Sequence, residues 1–254
     1  MAYPTILFSA DGEQYSQHRE DGQRYPYGTQ MVMQDGRKFR YGRAGGTLLV
    51  AKNVQQAGIN TANHVDTTAV ASAISSRAPS TTLGASAATV NDYREGYATV
   101  SVTPDGGSIY VIGSHLANAG SADLVLNLAP GFALQAAWTT TSRVDLIRNA
   151  YRAAIEAVGT TVTGPLIGVA VTALAANTSA SALSHGWFAT HGPCAVETDG
   201  TLVIGQRAVT AADAGEAAPW TAVAATQVIE QEIGIVMRVA ADTAFSTIYL
   251  TIDK

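Results

Sequence analysis

Three alternating runs stand out along the chain. Leu124, Leu126 and Leu128 fall on one side of an extended segment against Asp123, Val125 and Asn127. Ile233, Ile235, Met237 and Val239 oppose Gly234, Val236 and Arg238, and Ile248, Leu250 and Ile252 oppose Tyr249 and Thr251. Successive side chains of a strand point to opposite faces, so each run predicts a half-buried β-strand. Asp105-Gly106 and Asp199-Gly200 supply turns, and breaks at Pro104, Pro130, Gly164-Pro165 and Gly192-Pro193 separate short strands. Within residues 143–158, Val144, Ile147, Ala150, Tyr151, Ala154 and Val158 fit a helix about as well as a strand. The surrounding strands decide for strand here.

Nearer the start, Thr29 to Gln34 and Arg37 to Gly42 flank Asp35-Gly36, a strong hairpin signal in which Met31 and Met33 share one face and Phe39 and Tyr41 share one face of the partner strand. Residues 44–92 contain no Phe, Tyr or Trp and consist mostly of Ala, Ser, Thr, Gly and Asn. A segment without large side chains buries little area by itself, so it is expected to lie as an arm on another surface. Residues 66–77 fit one short helix, capped by Asp66 or Thr67, with Val70, Ala73, Ile74 and Arg77 at helical spacing and Pro79 as its stop. The predicted fold is mainly β: a C-terminal antiparallel β-barrel or sandwich body (93–254), an N-terminal aromatic and basic β-hairpin element (1–43), and an extended arm or linker (44–92) containing at most a short helix.

Charge changes the picture. Only 14% of residues are charged, against 47% hydrophobic, so much of the surface is Ser, Thr, Ala and Gly. A weakly charged surface fits a protein that spends its life covered by neighbours. The net charge of −5 argues against a general nucleic-acid binder, which carries a basic face. Residues 1–43 hold six Lys or Arg against five acids, so the aromatic-basic strip lacks the field that phosphate binding needs. Tyr and Arg also anchor protein interfaces, which makes Tyr15, Arg19, Arg24, Tyr25, Tyr27, Arg37, Phe39 and Tyr41 the candidate contact residues. The single cysteine excludes a disulfide framework, the opening Met1-Ala2-Tyr3-Pro4 does not read as a secretory signal, and no run approaches 18 apolar residues. The expected place of synthesis is a cytoplasm, with no membrane partner.

Familiar catalytic signatures are missing: no nucleophile elbow, phosphate loop, zinc-protease helix or dinucleotide fingerprint. His185, His191 and Cys194 form the best remaining constellation, but they lack the paired short spacings of structural zinc and any local orienting carboxylate for a thiol nucleophile. Asp11, Glu13, Glu20 and Asp21 do not follow the alternating ligand pattern of a calcium loop. Neither a metal, a cofactor nor an enzyme is expected. Two other classes stay open. A glycan-binding tail or fibre module would expose Trp138 or Trp220 over a shallow groove, and a hydrolase would gather His115, His185 or His191 in a deep pocket.

Tyr25-Pro26-Tyr27-Gly28-Thr29, followed by Asp35-Gly36-Arg37-Lys38-Phe39-Arg40-Tyr41, resembles the opening of head decoration, or cement, proteins of tailed phages. Ile167-Gly168-Val169, Gly186-Trp187-Phe188, His191-Gly192-Pro193 and Ile233-Gly234 are similar to the later motifs of such proteins, in that order. Ala189 stands where the family commonly has a polar Gln two residues after the Trp. The resemblance implies a structural virion protein, made in the host cytoplasm and carried on the outer surface of the capsid. It would bridge major capsid protein subunits as a homo-oligomer, a trimer by analogy, and stabilise the head without catalysis.

Overall fold

Gly36 takes φ +86°, a left-handed backbone suited to glycine, and around it the chain folds back into the predicted hairpin. The computed structural model describes residues 6–9, 12–58, 61–159, 162–220 and 231–253. Tyr3 and Asp11 of the sequence reading lie outside these. The described residues are mainly β. In chain order the strands are β1 (Ile6–Ser9), β2 (His18–Arg19), β3 (Gln30–Met33), β4 (Lys38–Arg43), β5 (Asn53–Gln56), β6 (Thr67–Ala69), β7 (Ser80–Thr82), β8 (Tyr97–Val102), β9 (Ile109–Ser114) and β10 (Asp123–Val125). They continue with β11 (Asn127–Leu128), β12 (Arg143–Ile147), β13 (Ala154–Glu156), β14 (Leu166–Ala170), β15 (Leu183–Glu197), β16 (Arg207–Thr210), β17 (Ala217–Pro219), β18 (Glu232–Arg238) and β19 (Phe245–Thr251). Among the described residues the helical ones are two single 3-10 turns, Glu13–Tyr15 and Ala62–His64.

Two compact units result: residues 1–58 with 150–254, and residues 59–149. In the first, β15 organises the sheet. Its first half pairs with β4 along one edge, Trp187 opposite Tyr41 and Ala189 opposite Phe39. Its other edge pairs first with β2, at Leu183 and His185, then with β14, at Phe188 and Ala189, and then with β19, from His191 to Glu197. Alternation then sends Trp187 and Ala189 into one core, with Met31, Phe39, Tyr41, Ile248 and Leu250, and Phe188 into a second, with Leu48, Val54, Ile167 and Leu174. The path β1-β3-β4-β15-β19-β18-β16-β17 has two ends, so this is an open, sandwich-like arrangement and not a closed barrel.

The second unit is a seven-stranded antiparallel sheet, β10-β7-β6-β12-β8-β9-β11, over a core that includes Tyr93, Trp138 and the expected Leu124, Leu126 and Leu128. No helix spans 66–77. Thr67–Ala69 is a strand whose Thr67 hydroxyl lies 2.6 Å from both the Thr81 hydroxyl and the Val144 carbonyl, while Asp66 and Ser75 adopt positive φ, which no right-handed helix tolerates. Residues 143–158 supply β12 and β13, as the strand reading expects, with Val144 and Leu146 inward.

The arm reading of 44–92 also gives way. Ala44, Leu48 and Val54 are fully buried in the first unit, and Leu83 and Ala88 are nearly so in the second. Aromatic residues distant in sequence, Phe188 for one unit and Trp138 and Tyr93 for the other, supply the bulk the segment lacks. One predicted face is split as well. Ile233 and Val236 are buried whereas Met237 and Val239 are exposed, because the pairing of β18 slips once against β16 and again against β19.

Candidate interface surface

Strand alternation sorts the aromatic-basic residues into two groups. Phe39 and Tyr41 point inward with 1% and 0% exposure, and Tyr27 is buried beside them, so these three form core and not contact surface. Tyr41 lies edge-on to Trp187 and Tyr25, with ring centroids 5.2 and 5.3 Å apart, and stacks on His185. Tyr15, Arg19 and Arg24 face solvent, with Arg24 over the half-buried Tyr25 ring at 5.6 Å. Arg37 packs over Phe39 and pairs with Asp35 at 2.6 Å; the Arg37 backbone N–H and guanidinium hold that carboxyl below its ordinary range.

The histidines and the cysteine do not converge. His185 is buried between Tyr27 and Tyr41, donates from Nδ1 to the Arg19 carbonyl at 3.1 Å and accepts at Nε2 from the Tyr27 hydroxyl at 3.2 Å. Desolvation, opposed by Glu20, pushes it down to about 4. His191 meets the Tyr249 hydroxyl instead, and burial pushes the Cys194 thiol up to about 12, the opposite of an activated nucleophile. His115 belongs to the other unit, where its Nε2 accepts from the Tyr93 backbone. Glu13, Glu20 and Asp21 go separately to Ser16, to Arg43 with Ser184, and to Arg19. Among the described residues no three His, Cys, Asp or Glu side chains gather as a metal site.

The first unit carries a groove of about 250 Å³, lined by Gln14, Tyr15, Arg37, Phe39, Ala189 and Cys194 among others. None of His115, His185 or His191 lines it.

Outward sheet faces are the larger feature. In the first unit, register places Arg207, Ile235, Tyr249 and Pro193 in one row across four strands, and Trp220, 51% exposed, continues it beside Arg207. In the second, Ile147, Tyr97 and Val111 form a row, with Asp145, Thr99 and the exposed Ile109 in the next. The sequence reading missed both. The available signal was the uninterrupted apolar run Ile109-Tyr110-Val111-Ile112: only one face of it enters a core, so the other must be apolar and outward. Trp138, by contrast, is buried with its Nε1 donating to Asp105. No protein-family model, curated protein or solved structure matches this chain.

Proposed function

We propose that the chain is a structural virion protein, non-enzymatic and without a required cofactor. In this reading it binds the outer surface of a tailed-phage head as a homo-oligomer and bridges major capsid protein subunits. The observation that carries the reading is the pair of outward sheet faces, each with exposed apolar side chains on several strands beside one charge, Arg207 in the first unit and Asp145 in the second, on a chain with only 14% charged residues. Contiguous apolar surface of this kind marks an interaction site. The contact surface is then the face of folded sheets, Tyr15, Arg19 and Arg24 being exposed as well, and no flexible arm is needed. The test is sedimentation with undecorated heads. The protein should pellet with them at a fixed copy ratio, and the triple variant Tyr97→Ser, Ile109→Ser, Ile147→Ser should lose at least about tenfold in affinity while keeping its circular dichroism. Failure of the unaltered chain to bind heads refutes the proposal.

A second reading is favoured by one feature, the exposed Trp220 in line with Tyr249 on one sheet face. Aromatic rings presented this way suit a sugar ring, and the reading predicts tryptophan quenching on addition of host-surface polysaccharide.

A further inference from the structure

We infer that copies of this chain associate head to tail, the outward face of the first unit's sheet in one copy docking on the outward face of the second unit's sheet in the next. The inference deepens the homo-oligomer of the reading above by naming its contact, and it rests on that reading only there. Strand alternation supplies both faces. In the first unit Ile233, Ile248 and Leu250 enter the core, which leaves Ile235 and the exposed Tyr249 on the other side, with Trp220 continuing the row beside Arg207. In the second unit Val144, Leu146, Ala98 and Val100 are buried, which leaves Ile147, Tyr97 and Ile109 outward. Single exposed apolar side chains are ordinary, whereas rows of them across hydrogen-bonded strands mark a surface that another surface covers.

Charge selects the partner. The charged residues of β16, β18 and β19, which build the first face, are two arginines, Arg207 and Arg238, against one acid, Glu232. Glu232 does not cancel Arg207: the pair spans 3.8 Å with side chains 60% and 46% exposed, a contact that contributes little in water. Glu197, at the far end of β15, is bonded to Lys52 at 3.1 Å. The second face has the opposite sign. Asp145 lies on its central strand, β12, and accepts the Asp66 backbone N–H at 2.6 Å, while Asp123 is exposed on the edge strand β10. Arg143 is the one cation on the strands of this sheet, and its Nη1 is bonded to the Thr140 and Ser142 carbonyls. Two copies of either face would meet with like net charge, which an interface disfavours, whereas the mixed pairing opposes arginine to aspartate.

Two unlike faces on one chain make a heterologous contact. Each copy keeps one face of each kind, so a pair of copies still has a free face at both ends and adds further copies until the assembly closes on itself. Tyr15, Arg19 and Arg24, exposed on the first unit, stay available to a shell, and the sheet faces serve head binding through multivalency.

Sedimentation equilibrium of the full chain, without heads, tests the contact. The parent should self-associate at concentrations up to about 0.1 mM, and less as salt is raised. Arg207→Glu and Asp145→Lys, each with the parent's circular dichroism, should weaken association at least about tenfold. Equal parts of the two should recover the parent's distribution, because the reversed charges again oppose each other. Two uncharged variants blunt one face each: Trp220→Ser with Tyr249→Ser, and Tyr97→Ser with Ile109→Ser. Either alone should be monomeric, and their mixture should stop at a dimer joined through the two intact faces. A monomeric parent, charge variants that do not recover on mixing, or loss of association in only one of the two serine variants, the sign of a face pairing with itself, overturns the inference. A monomeric chain that still pellets with heads overturns this contact and leaves the head reading standing, and an associating chain that ignores heads does the reverse.

Discussion

Replacing Lys52 with Met isolates the most consequential buried charge in the first unit. The Lys52 side chain is 8% exposed, and its ammonium lies 2.8 Å from Glu216 and 3.1 Å from Glu197, themselves 12% and 22% exposed. Burial alone would lower its pKa, but hydrogen bonds to the two carboxylates outweigh that and hold it above the ordinary range. Methionine keeps the stem that packs against Gly215 and removes only the charge. Two carboxylates then remain buried without their cation, a cost of about 3 to 5 kcal/mol. In the variant, desolvation and mutual repulsion raise both carboxyl pKa values above their unfolded values, so stability is present at low pH and lost as pH rises through the folded values. The gap between variant and parent in urea unfolding should therefore be widest near pH 7 and shrink toward pH 4. A variant within about 0.5 kcal/mol of the parent at pH 7, or a gap constant with pH, would show that water already reaches these groups and would refute the reasoning.

Asp105→Ala removes the acceptor for Trp138 Nε1 at 2.9 Å, the Tyr110 hydroxyl at 2.7 Å and the Ser108 hydroxyl at 2.7 Å, and should cost about 2 to 4 kcal/mol in urea unfolding followed by Trp138 fluorescence. Gly234→Ala brings a methyl to 2.0 Å from the Tyr249 carbonyl oxygen, a backbone atom that cannot step aside, so a loss above about 3 kcal/mol is expected by thermal denaturation. Gly46→Ala meets nothing within 4 Å and should leave the melting temperature unchanged.

The alternation Leu124-Leu126-Leu128 was legible because one face enters a core and the other does not. Ile233 to Val239 followed the same rule on paper, but a slip in strand pairing reverses faces without altering the spacing of apolar residues, so nothing in the period reports it. Helical spacing at 66–77 was coincidence among mostly small side chains: Ile74, its largest apolar member, is 61% exposed. The candidate interface was readable in part. Lys38-Phe39-Arg40-Tyr41 alternates charge with aromatic ring, which on a strand sends the rings inward and leaves only the charges for a partner. Residues 44–92 misled for a different reason. Absence of bulk in a segment says what it cannot bury alone, and the partners that complete it lie up to about 140 residues further along the same chain.

The pairing of β15 with β4 also sets a schedule. On a ribosome, Met31, Phe39 and Tyr41 emerge early, yet the strand that covers them begins only at Leu183. At about 5 to 20 residues per second, the intervening chain takes roughly 7 to 28 s to make. Throughout that interval the nascent hairpin presents an apolar face to solvent, whereas residues 59–149, contiguous in sequence, can close their own core while the first unit still waits. Early chain is therefore a natural client for a holding chaperone, and a translation pause placed between 150 and 183 would lengthen its exposure.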